Sequence, residues 1–167
     1  MTVIVQKYGG TSVATLEHIQ HVADKVIETK NKGYDVVVVV SAMSGETDKL
    51  ISLAKGLSED PDGREYDALI SIGEQVSTAL LSIALKNKGY QAQSFTGPQA
   101  QIYTDGIFKK ARINDVRPDP LKKALQEGKI AVVAGFQGLD QHGNVTTLGR
   151  GGSDTTAVAL AFALKAQ

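Results

Sequence analysis

Val36-Val37-Val38-Val39-Val40 runs directly into Ser41-Ala42-Met43-Ser44-Gly45. Five consecutive β-branched residues favour a strand. A strand apolar on both faces belongs in the middle of a parallel sheet with helices above and below it. Upstream, Val3-Ile4-Val5-Gln6 reads as another buried strand, leading into Lys7-Tyr8-Gly9-Gly10-Thr11-Ser12. A helix from about Thr15 to Lys30 then sets Leu16, Ile19, Ala23, Val26 and Ile27 on one face. Asn31-Lys32-Gly33-Tyr34 ends it, with Gly33 suited to a left-handed cap. Nearly the same letters return as Asn87-Lys88-Gly89-Tyr90, and again in outline as Glu127-Gly128-Lys129. Each copy closes a helix and opens a strand, at 36–40, 91–95 and 130–134. The rhythm predicts an α/β fold, a three-layer αβα arrangement around a mainly parallel central sheet.

The remaining segments fill in around that rhythm. Thr47 can cap a short helix through about Leu57. From Arg64 to Lys88 a long helical pattern carries a main apolar stripe of Leu69, Ile72, Val76, Ala79, Leu80 and Ile83, with Glu74 off the stripe on a lesser flank. Gly73 inside this helix implies that something approaches closely, since glycine there costs roughly 1 kcal/mol relative to alanine. Ile102 to Phe108 with Asp105-Gly106 at its centre predicts a hairpin on a type I′ turn. Arg112-Ile113 opens a further extended segment. Asp119-Pro120 starts a short helix through Glu127. The last helix, through Leu164, begins at Gly149-Arg150-Gly151-Gly152-Ser153-Asp154-Thr155-Thr156, where Ser153 suits the N-cap.

The 167 residues amount to about one domain, with 42% apolar and 22% charged residues and a formal net charge of zero. That balance argues against a nucleic-acid partner. The absence of cysteine excludes a disulfide framework and thiolate metal sites. No signal peptide is evident, no apolar run approaches membrane-spanning length, and the expected location is cytoplasmic. Asn144-Val145-Thr146 matches a glycosylation sequon by chance on this reading. His18, His21 and His142 lack metal-ligand spacing and read as solvated; no metal-ligating set is expected.

Ligands of open parallel sheets bind beyond the carboxyl ends of the strands. Here the Gly-, Ser- and Thr-rich segments fall at those ends: 7–12, 41–47, 135–138 and 149–154. Each alone has a plain structural reading: a tight turn beside a solvated lysine, a capped helix, a surface glutamate at Glu74. Taken together, with Lys7 and Arg150 among them, they favour a phosphate or carboxylate site. The turn at 7–12 is neither a Walker A motif nor a Rossmann fingerprint.

Lys7-Tyr8-Gly9-Gly10-Thr11-Ser12, Val40 to Asp48, Ser71-Ile72-Gly73-Glu74 and Thr147 to Thr156, in that order, resemble aspartate kinase, of the amino acid kinase fold family. Ser94 to Gly97 and Val133 to Gly138 fit as well. The resemblance implies ATP-dependent phosphorylation of the L-aspartate side-chain carboxylate to 4-phospho-L-aspartate, the entry to lysine, threonine and methionine synthesis. By motif, Lys7 and Asp154 would be catalytic. Lys7, Gly9, Gly10 and Ser41 would line the ATP phosphates. Thr47, Glu74, Arg150, Gly151, Gly152 and Ser153 would hold aspartate, Arg150 pairing with a carboxylate and Glu74 with the ammonium. Mg2+ would be held mainly through the nucleotide phosphates. The resemblance further implies that residues 1–167 are the N-terminal, aspartate-binding lobe, with the nucleotide lobe and ACT regulatory domains absent. It implies an oligomer in the full-length protein and little or no activity from these residues alone. The alternatives are a kinase for another carboxylate, of the N-acetylglutamate type, and a non-catalytic binding or assembly module. The geometric expectation is that Lys7 and Arg150, near the two extremities of the chain, meet Asp154 at one mouth.

Overall fold

A computed structural model describes residues 2–149 and 151–167. These residues build eight strands, six α-helices and one short 3-10 helix, Gly10–Val13. Strands β1 (Val3–Tyr8), β2 (Asp35–Val40), β3 (Ala92–Phe95) and β6 (Ile130–Ala134) form the central sheet, in the order β1-β2-β6-β3 with every pair parallel. The valine strand lies inside that sheet, and all five of its valines are fully buried.

Because successive strand residues face opposite ways, the two faces of the sheet feed two separate cores. Val36, Val38, Val40, Ile130 and Val132 pack under α1 (Leu16–Asn31) and α4 (Ile72–Asn87). Val37, Val39, Ala131 and Val133 pack under α5 (Asp119–Gln126) and α6 (Gly152–Leu164). The three-layer αβα arrangement is therefore present. At roughly 1.5–3 kcal/mol for each fully buried aliphatic side chain, the valine strand is a main source of cohesion.

Two helices and a smaller sheet complete the chain. Helix α2 (Glu46–Leu57) follows β2, and α3 (Gly63–Ile70) leads into α4 across Ser71. Strands β4 (Ile102–Thr104), β5 (Ile113–Val116), β7 (Gln137–Leu139) and β8 (Val145–Thr147) form a second sheet, ordered β5-β4-β7-β8.

Several expectations need correction. The predicted hairpin does not close at Asp105-Gly106: β4 pairs antiparallel with β5, and Asp105 is not left-handed as a type I′ turn requires. Its carboxylate accepts the N–H groups of Ile107 and Arg112 instead, at 3.1 Å each, and so holds open a longer loop. The apolar stripe assigned to the long helix faces outward, with Ile72 and Val76 both 44% and Ile83 63% exposed. The buried side carries Ile70, Glu74, Ser77, Thr78, Leu81, Ser82 and Leu85. Gly63–Asn87 is also long and apolar enough, by length and composition, to cross a membrane. Here it buries the side bearing Asp67 and Glu74 against the rest of the fold. Caps differ too. Gly45 (φ 85°) and Gly151 (φ 74°) occupy the N-caps of α2 and α6, so Thr47 and Ser153 fall within first turns and cap nothing.

Candidate functional site

The parallel strands β1, β2 and β6 end on one edge of the central sheet, and the first turns of α2, α4 and α6 begin there. A cleft of about 280 Å³ opens between them, lined by Lys7, Ser41, Ala42, Thr47, Glu74, Phe136, Gly151, Gly152, Ser153 and Asp154. The N-termini of α2 and α6 supply unpaired N–H groups and positive dipole ends, which favour anions, whereas α4 continues from α3, the Ser71 N–H donating to the Asp67 carbonyl at 3.0 Å.

Lys7, at the end of β1, places its ammonium 2.9 Å from Asp154 Oδ1 in the first turn of α6. The two extremities of the chain thus meet at the mouth. Asp154 is 72% exposed, so the pair contributes little to stability. Its consequence is orientation: Lys7 is held over the cleft rather than left to sweep through solvent. Gly9 and Gly10 flank the mouth without lining it. A Cβ on Gly9 would stand 3.5 Å from Lys7 Nζ, so the turn backbone and the ammonium are close neighbours.

Glu74 forms the opposite wall. Its side chain is 3% exposed. Oε1 accepts the Ala42 N–H at 3.4 Å, a long bond, while Oε2 is buried with no partner. Burial pushes its carboxyl up to about 7, against a smaller opposing pull from backbone hydrogen bonds at Glu74 and Ala42. A buried carboxylate with one oxygen free is a receptor for a cation or a hydrogen-bond donor.

Close approach explains two glycines. A Cβ on Gly73 would lie 2.9 Å from that of Ala42, so α4 can seat directly on the turn after β2. Ser77 Oγ, one turn on, donates to the Ser41 carbonyl at 2.7 Å and fastens the same junction. A Cβ on Gly135 would fall 2.8 Å from Ser153 Oγ, so glycine at the end of β6 admits the start of α6.

Of the residues expected at the site, Lys7, Ser41, Thr47, Glu74, Gly151, Gly152, Ser153 and Asp154 line the cleft, and Gly9 and Gly10 border it. Arg150 lies outside the described residues. Ala42 and Phe136 line the cleft without having been singled out. Phe136 has φ 71°, costly for a bulky residue. It is held there by the Thr156 hydroxyl accepting its N–H at 3.1 Å and by the Leu148 N–H donating to its carbonyl at 2.9 Å. The only hint in the sequence was its place among strand-end glycines.

A larger hollow, about 530 Å³, lies over the second sheet and includes Arg64, Arg117, Asp140 and Asn144. These four already have partners. Asp140 accepts from His142 N, Asn144 N and Asn144 Nδ2, Arg64 donates to Asn144, and Arg117 pairs with Asp115. Volume favours that hollow, but unsatisfied chemistry favours the smaller cleft. Among the described residues no group of three or more His, Asp or Glu side chains could hold a metal ion.

Comparison with known proteins bears on the family. Residues 2–167 match the model of the amino acid kinase family. An aspartokinase from Bacillus sp. (strain MGA3) is 59% identical over 167 residues, which is all of this chain and 41% of that protein. The structure of aspartate kinase from Synechocystis shares 52% identity at a TM-score of 0.84, covering 98% of this chain and 26% of that one. Aspartokinase III from E. coli, solved with aspartate and ADP, shares 28% identity at a TM-score of 0.88, covering 98% of this chain and 47% of that one. The chain thus spans about 41% of the length of these curated relatives. With a family model matched from residue 2 to residue 167 and the parallel sheet, strand-end cleft and Lys7–Asp154 pair in place, the chain belongs to the amino acid kinase family.

Proposed function

We propose that these 167 residues are the aspartate-binding lobe of an aspartate kinase, which transfers the γ-phosphoryl group of ATP to the side-chain carboxylate of L-aspartate. The reading rests above all on one observation. A buried carboxylate with a free oxygen, Glu74, faces across one cleft the Lys7 ammonium and the N-terminus of α6. A zwitterionic amino acid needs both poles: Glu74 for its ammonium, and Gly151, Gly152 and Ser153 with Arg150 for carboxylate. Thr47, in the first turn of α2, closes the side of the cleft.

The chemistry suits these groups. A carboxylate oxygen attacks without losing a proton, so no general base is required. Catalysis then rests on positioning and on neutralising the anions brought together. Lys7 would meet the charge gathering on the transferred group, and Asp154 would fix the direction of its ammonium. The Gly9-Gly10 turn and Ser41 would receive the other phosphate oxygens. Mg2+ would be held mainly through the nucleotide phosphates and would supply part of their charge neutralisation. The base and ribose would be held by a nucleotide lobe beyond these residues, so the 167 residues by themselves would bind aspartate without turning it over. Such a kinase would act in the cytoplasm.

Calorimetry on this chain tests the reading. L-Aspartate should bind, and N-acetyl-L-glutamate, which lacks an ammonium for Glu74, should not. Equal binding of the two would favour a kinase for an acylated amino acid. No binding of either would favour a non-catalytic module.

A further inference from the structure

The cleft has two walls that belong to different parts of the chain. Glu74 rides on the α3–α4 rod, whereas Gly151 to Asp154 follow from β8 in the second sheet. The distance between them depends on what fastens the rod to that sheet. Two buried polar side chains do so. Asp67 on α3 is fully buried, accepting the Thr147 N–H at 2.7 Å, the Thr147 hydroxyl at 2.9 Å and the Lys109 N–H at 3.0 Å. Gln137 on β7 is also fully buried. Its amide donates to the carbonyl of Ser71, at the break between α3 and α4, at 2.9 Å, and its Oε1 accepts the Gly97 N–H at 3.2 Å.

Neither residue touches the cleft, yet each is bonded a few positions from a residue that does. Ser71 stands three residues before Glu74, Thr147 six before Ser153, and Gln137 next to Phe136. Buried polar bonds of this kind are directional, unlike the apolar packing around them, and fix one relative placement. We propose that Asp67 and Gln137 are positioning residues: a buried clamp that sets the span between the cation-binding and anion-binding walls, and so selects the length of the amino-acid substrate. The proposal rests on the reading of the cleft as an amino-acid site.

The test is calorimetry of the chain with L-aspartate and with L-glutamate, one methylene longer. Gln137→Met removes both side-chain bonds at similar volume. Thr147→Val is milder, deleting only the hydroxyl bond to Asp67. Gln137→Met should weaken aspartate binding by about tenfold and Thr147→Val by less, in the range for residues that act on a site without touching its ligand, and both should narrow the aspartate-to-glutamate ratio. Lower stability with an unchanged ratio in the folded Thr147→Val protein overturns the clamp and leaves the cleft assignment intact. If the unsubstituted chain binds no aspartate, the cleft assignment fails and the clamp's role fails with it.

Discussion

Replacing Glu74 with glutamine should stabilise the empty protein at neutral and alkaline pH and change little in acid. The Glu74 carboxyl titrates at about 7 in the folded chain, against an ordinary value of 4.5. Between those values the unfolded chain has released a proton that the folded chain still keeps. Stability therefore falls as pH rises from about 4.5, and the full cost is present above about 7. That difference corresponds to roughly 3 kcal/mol. Glutamine has the shape of the protonated acid and keeps an acceptor for the Ala42 N–H, but it cannot ionise. Urea unfolding of both proteins at a series of pH values isolates the effect, because every other titrating group cancels in the difference. The Glu74→Gln advantage should be near zero at pH 4.5 and approach roughly 3 kcal/mol by pH 8. A difference that stays flat from pH 5 to pH 8 would refute the claim that Glu74 is a desolvated, half-partnered carboxyl. The same substitution should abolish aspartate binding, separating the residue's cost to the fold from its use.

Two further predictions probe the framework of the cleft. Gly135→Ala would set a Cβ 2.8 Å from Ser153 Oγ and 3.1 Å from Ser153 Cα. It should lower stability by about 1–3 kcal/mol in thermal unfolding and weaken aspartate binding in calorimetry, by displacing the start of α6. On α4, Ile83→Lys should change stability by no more than about 0.5 kcal/mol, whereas Leu81→Ala should cost about 2–5 kcal/mol. Chemical denaturation showing the opposite order would mean that the outward stripe is the packed one.

The valine run made the central sheet legible, because only a strand covered on both sides tolerates five such residues in succession. The site was legible through its punctuation: Lys7 and Ser41 stand at the ends of parallel strands as expected, whereas Gly151 to Asp154 begin α6 after β8, which pairs antiparallel in the second sheet rather than ending a parallel strand. Helix α4 misled because its buried face is partly polar. Thr78 Oγ1 donates to the Glu74 carbonyl at 2.5 Å and Ser82 Oγ to the Thr78 carbonyl at 2.9 Å. Hydroxyls satisfied on their own helix in this way can pack like small apolar groups. Apolar periodicity therefore pointed to the outward face and set Glu74 on the wrong side of the division. The second sheet was missed for a different reason. Three of its strands are three residues long, and buried side chains such as Asp67 and Gln137 brace it. Nothing in local sequence announces such partners, which are 80 and 66 residues away for Thr147 and Ser71.

The most direct test of the central claim, that the chain's two extremities build one phosphoryl-transfer mouth, is the turnover of Lys7→Ala in a version extended to the length of its aspartokinase relatives. With the ammonium beside Asp154 removed, kcat should fall by at least about 10²-fold, with aspartate still bound through Glu74. Turnover close to that of the unsubstituted enzyme would contradict the account.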